Sequence, residues 1–140
     1  MKTLTEFLLA RIGEDQAVAR AATPGPWWNE SGTVHAPYPF GRDVTAGNGG
    51  ACHPLDAQGG NGRDADADAE HASRHDPARV LAECESKRRI VEEYVGEEWV
   101  ISQGHVTDWT QGAQAARETA LRFLASVYAA HDDYDPAWAI

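Results

Sequence analysis

Glu70-His71-Ala72-Ser73-Arg74-His75-Asp76-Pro77-Ala78-Arg79-Val80-Leu81 is the stretch where one helix must end and another begin. Asp is a favoured N-cap because its carboxylate accepts a backbone N–H of the first helical turn. Pro suits the next position, where no intrahelical donor is needed and its fixed φ is already helical. Asp76 and Pro77 are therefore structural caps. Upstream, the Asp/Ala alternation that begins at Asp64 leads into a short helix over about 65–74. Downstream, Val80, Leu81, Cys84, Ile90, Val91, Tyr94 and Val95 form an apolar stripe at helical spacing. The stripe predicts a helix from 77 to about Val95, closed by Gly96.

Working outward towards the N-terminus, residues 3–21 predict another helix. Thr3 with Glu6 is a capping-box pair, and Leu4, Phe7, Leu8, Ile12 and Ala19 fall near one face. Pro24 and Pro26 stop it, since each lacks a donor and biases its predecessor to extended backbone. Trp27-Trp28, Thr33-Val34-His35 and Arg42-Asp43-Val44-Thr45 are the strand-like runs. Residues 46–63 are rich in Gly and Asn-Gly turns without apolar periodicity, which predicts a flexible loop.

Towards the C-terminus, Trp99-Val100-Ile101 predicts a short strand or extended segment. Asp108 to Ala130 predicts the last long helix, with Ala113, Ala116, Ala120, Phe123, Leu124, Val127 and Tyr128 on its buried face. Tyr134-Asp135-Pro136-Ala137-Trp138 is a tail expected to dock. The fold class that follows is α+β and mostly helical. Three main helices accompany a small β-hairpin or short antiparallel sheet in a single domain over 1–140. The first and last helices are expected against the 77–95 helix.

The charge is strongly one-sided: 12 Lys+Arg against 22 Asp+Glu give a net −10. Such a chain repels a phosphate backbone, which argues against general nucleic-acid binding; a protein partner with a basic surface, or mimicry of nucleic acid, fits the sign better. No window is apolar enough to span a membrane. Met1 to Glu6 lacks the apolar run of a secretory leader, so a cytoplasmic protein with Cys52 and Cys84 as free thiols is expected. Of five tryptophans, most are expected in the core, and one or two left outside would mark a partner surface or an oligomer interface.

Two constellations carry candidate chemistry. His71 and His75 stand four apart, a spacing at which two helical imidazoles can share a metal, and Asp68 could add a carboxylate. Ala72 occupies the position where H-E-x-x-H has its glutamate, and a further ligand would have to come from His35, Cys52, His53, His105 or His131. Arg63, Arg74 and Arg79 lie near the Gly-rich loop and could bind a small anion if they converge. No nucleophile–base motif and no cofactor fingerprint occurs, so no cofactor is expected.

Three separated pieces carry a resemblance. They are Ala22-Thr23-Pro24-Gly25-Pro26-Trp27, the run from Glu70-His71 to Arg89-Ile90, and Tyr128-Ala129-Ala130-His131-Asp132-Asp133-Tyr134-Asp135-Pro136-Ala137-Trp138. Together they resemble a family of small proteins of unknown function found in actinobacteria and their phages. A looser likeness extends to accessory proteins of phage early regions. Many members carry a C-x-x-C pair before the last helix. This chain has Glu97-Glu98-Trp99 and Gly104-His105 there, so no metal role follows from the resemblance. The expectation is a non-catalytic, phage-related accessory protein that self-associates and binds another macromolecule. The alternatives are a protein that binds or sequesters a small anionic ligand or nucleotide, and a metal-dependent hydrolase centred on His71 and His75.

Overall fold

The structure is a computed structural model that describes residues 2–37 and 65–140. Four α-helices and a two-stranded antiparallel sheet make an α+β arrangement that is mostly helical. The elements are α1 (Leu4–Ala21), β1 (Trp28–Glu30), β2 (Thr33–His35), α2 (Ala65–Arg74), α3 (Pro77–Ser102) and α4 (Asp108–Ser126), followed by a 3-10 turn at Pro136–Trp138. The candidate strand at Arg42–Thr45, the 46–63 loop, Cys52, His53 and Arg63 lie outside the described residues. The chain divides into two compact units, one of residues 1–15 and 83–140 and one of residues 16–82. Both α1 and α3 contribute to each.

The 16–82 unit holds the hairpin and α2. Trp28 pairs with His35, Asn29 with Val34 and Glu30 with Thr33. The connecting Ser31 and Gly32 both take positive φ, at 52° and 81°. A two-residue loop of that kind matches the right-handed twist of its strands, and Gly32 makes it cheap. Asn29 Oδ1 accepts the Gly32 N–H at 3.0 Å and closes the turn. The rings of Trp28 and His35 stack across the strands with centroids 5.7 Å apart. α2 packs against both strands. Val34, Ala36, Ala69 and Ala19 are buried among the described residues of this unit.

The other unit takes its core from α1, α3 and α4: Phe7, Leu8, Ile12, Cys84, Val91, Leu121 and Ala125 are buried. The capping box at Thr3 forms as expected. Glu6 accepts the Thr3 N–H at 2.8 Å, and Thr3 Oγ1 accepts the Glu6 N–H at 3.2 Å. The Thr3 backbone N–H first, and the Thr3 side chain second, hold the Glu6 carboxyl below the usual carboxylate range. Thr107 and Thr110 make a second capping box at the start of α4.

Three expectations need correction. α3 does not end at Gly96 but runs on to Ser102, so Trp99, Val100 and Ile101 are helical. One helical glycine costs only about 1 kcal/mol, and the helix formers on either side outweigh it. The helix stops instead near Gly104, whose φ of +93° is the left-handed conformation of a helix terminus. α4 ends at Ser126, four residues before Ala130, and the chain then turns through 127–133. The third correction concerns tryptophan: Trp28, Trp99 and Trp109 are exposed, and none of the five is fully buried.

Candidate functional site

The α2–α3 junction gathers most of the expected site residues. Asp76 is buried and uses both carboxylate oxygens: Oδ1 accepts the Arg79 N–H at 2.8 Å, and Oδ2 accepts the Trp27 N–H at 3.0 Å. The first contact is the helix N-cap. The second ties the Thr23-Pro24-Gly25-Pro26-Trp27 segment to the same carboxylate, and Trp27 Nε1 in turn donates to the Thr23 carbonyl at 2.9 Å. The Gly25-Pro26 peptide is cis. Two of the three sequence pieces that carried the resemblance therefore meet at Asp76.

The histidine pair sits on the other side of this junction, at the end of α2. The two rings lie 4.4 Å apart, and both residues are exposed. His75 Nδ1 donates to the His71 carbonyl at 2.9 Å, and the His75 backbone N–H donates to the Ala72 carbonyl at 3.1 Å. Arg79 Nη1 reaches the Arg74 carbonyl at 3.1 Å, and Ser73 Oγ the Glu70 carbonyl at 2.9 Å. The His71, Ala72 and Arg74 carbonyls, in the last turn that the helix leaves short of N–H partners, gain donors in this way. His75 thus has a structural task. Asp68 does not complete a ligand set with the two histidines: among the described residues no three His, Cys, Asp or Glu side chains could hold a metal ion together. Arg74 is engaged too, with Nε 2.7 Å from Glu70 Oε1.

A polar node, not expected from sequence, lies in the other unit. Arg11 is buried, with its guanidinium 5.5 Å from the Phe7 ring centroid and Nη2 2.6 Å from Glu14. Its Nη1 meets Nε2 of His131, while the Asp133 N–H points at His131 Nδ1 from 3.0 Å. A neutral imidazole accepts at one nitrogen only, so the two donors compete. Arg11 Nε is buried without a hydrogen-bond partner. Phe7 is ringed by Tyr128, His131, Tyr134 and Trp138, with centroids at 6.3, 5.9, 6.0 and 5.0 Å. Tyr128 donates to Asp15 at 2.6 Å. Burial first, and then this carboxylate, pushes its phenol well above the usual tyrosine range. The signal available in the sequence was the 128–131–134–138 spacing of the tail's rings.

The third feature is the face that α4 turns outward. Trp109, Phe123 and Val127 are 75%, 59% and 70% exposed. Ala113, Ala116 and Ala120 lie between them at spacings of four and three, so the six share one stripe. The side of α4 that is turned inward carries Leu121 and Ala125 together with polar groups. Gln114 Nε2 donates to the Tyr94 carbonyl at 3.1 Å, and Arg117 stands 3.9 Å from Glu97. Gln114 Oε1 and Arg117 Nη1 are buried without partners. Ala113, Ala116, Ala120, Phe123 and Val127 were expected inside. Much of that stripe faces out, because helical periodicity defines a face without saying which way it points.

A shallow groove on α3 is lined by Arg89, Glu92, Glu93, Gly96 and Glu97. Its three carboxylates and one guanidinium belong to a single helix. No helix among the described residues is long and apolar enough to cross a membrane. No curated protein and no solved structure matches the chain. The model of a family of unknown function, DUF6221, matches residues 1–140. The chain belongs to that family.

Proposed function

We propose that this is a non-catalytic accessory protein that acts in the cytoplasm by binding a protein partner, with the outward face of α4 as the contact surface. The phage-related setting comes from the sequence resemblance alone. The observation that carries the reading is the inverted helix. α4 leaves buried polar atoms unpartnered on its inner side and exposes Trp109, Phe123 and Val127 on its outer side. Clustered large apolar residues on a surface mark contact sites, and Trp is the residue most enriched in their energetic centres. The net charge of −10 favours a basic rim on any partner other than a second copy of the chain.

Site-specific photo-crosslinking tests this. A benzophenone amino acid at position 123, in cells of the native host, is expected to give a discrete protein adduct. The same group at the exposed Arg74 is the control and should give none. Absence of any adduct from position 123, or equal labelling from both positions, would exclude the face as the contact surface.

A further inference from the structure

We propose that the outward face of α4 is a self-complementary seam on which a second copy of this chain docks antiparallel. The proposal rests on the reading of that face as a contact surface and names its occupant.

The spacing is the first argument. Residues 109, 113, 116, 120, 123 and 127 alternate steps of four and three. That is the seam of two helices packed along their length, sustained over a helix of 19 residues, about 28 Å. Side-chain size points the same way. An antiparallel pair centred on α4 sets Trp109 opposite the partner's Val127, Ala113 opposite the partner's Phe123 and Ala116 opposite the partner's Ala120. Each large ring then meets a smaller side chain, and the alanines allow close approach at the centre. In a parallel pair Trp109 and Phe123 would each face their own copies and hold the alanines apart. A parallel pair also aligns the helix dipoles unfavourably, whereas an antiparallel one opposes them.

Area agrees with a second copy. The exposed parts of Trp109, Phe123 and Val127, with the small residues between them, amount to roughly 600 Å² per copy. A pair would bury about 1,200 Å², the lower bound for a specific, stable interface. No charged residue stands on the six stripe positions or on Gly112, Thr119 and Ser126 beside them.

The experiment is sedimentation equilibrium on the full chain, wild type against Phe123→Glu, with Trp109→Ser as a second variant. The expected wild-type mass is twice the 15.2 kDa of the chain. Both variants should sediment as monomers with unchanged helical circular dichroism, and self-association should weaken by roughly 100-fold or more for Phe123→Glu, which puts a charge in the seam. Orientation is read in a background without native thiols, Cys52→Ser with Cys84→Ala. Single-cysteine variants Ala116→Cys and Ala120→Cys should form a disulfide when mixed and neither should pair with itself. Self-pairing of each would overturn the antiparallel register. A wild-type monomer at 100-fold the concentration used for crosslinking overturns the proposal outright. If position 123 still crosslinks a different protein, the contact-surface reading stands and only its occupant is wrong. If position 123 gives no adduct, both fall.

Discussion

Trp27 donates its backbone N–H to Asp76 Oδ2 at 3.0 Å, across forty-nine residues of chain. The other oxygen of that carboxylate caps α3 through Arg79 N–H. One buried side chain thus starts a helix and anchors the Pro-rich segment that leads into the hairpin. Asp76→Ala removes both acceptors. A lost N-cap costs about 1 kcal/mol, and a partly buried N–H left without a partner costs about 1–3 kcal/mol more. Urea denaturation should show a loss of about 2–4 kcal/mol on that basis, with Asp76→Asn in between because its amide offers one acceptor and not two. A loss under about 0.5 kcal/mol for Asp76→Ala would disprove the double role.

The glycines divide by what surrounds them. A Cβ on Gly25 would stand 2.4 Å from Asp76 Oδ2 and 2.9 Å from its Cγ. That carboxylate is short, buried and held by two N–H groups, so it cannot swing aside. Gly25→Ala should therefore destabilise the fold about as much as Asp76→Ala, and combining the two should cost less than the sum. Gly96 is helical with nothing within 4 Å of a Cβ. Gly96→Ala should raise stability by about 0.5–1 kcal/mol. Thermal melts of the single variants and the double variant decide both points.

Alkaline pH should expose the Tyr128–Asp15 contact. The Tyr128 phenol is held above its ordinary value, which means the neutral form is favoured in the folded state. The sign follows: its contribution is complete below the unfolded tyrosine value of about 10 and is lost as pH rises through the higher folded value. Tyr94 is shifted the same way, first by burial and then by Glu98 and Glu118. Tyr128→Phe should lower stability at pH 7 by about 1 kcal/mol and flatten the decline above pH 10. An unchanged slope above pH 10 in the variant would show that Asp15 does not hold the phenol.

Local chemistry was legible in the sequence wherever a residue acts on its own neighbours. Asp76-Pro77, Thr3 with Glu6 and the strand-like runs around Ser31-Gly32 place the start of α3, the start of α1 and the hairpin correctly. Distance defeats such reasoning. Nothing near Trp27 says that its N–H meets Asp76, and nothing near Arg11 says that it will be buried against Phe7. Gly96 misleads because a glycine has the same identity in mid-helix as at a terminus. Only the φ of Gly104 shows which glycine ends α3. The α4 stripe was visible, but its direction depends on what the rest of the chain leaves to cover. His75 was visible as half of a metal-spaced pair, while its capping of the His71 carbonyl needs the helix to end at Arg74.

The docking of the tail on α1 can be measured as a coupling. Phe7 has no exposed surface, and Trp138 is the nearest of the four rings around it, 5.0 Å away. Phe7→Ala should cost about 3–5 kcal/mol, the range for a buried aromatic. Trp138→Ala should cost less, because the 3-10 turn that carries it has no buried residue of its own. What separates ring contact from simple burial is the double variant. Aromatic pairs contribute about 0.5–1.5 kcal/mol beyond area, so the two losses should fail to add by that amount in a double-mutant cycle. Lys2 and Asp133 form an ion pair at 2.5 Å between the start of α1 and the same tail, but both are about half exposed. Lys2→Ala should accordingly change stability by less than about 1 kcal/mol. If Lys2→Ala matched Trp138→Ala, the tail would be held by charge rather than by the rings, and raising the salt concentration would then release it.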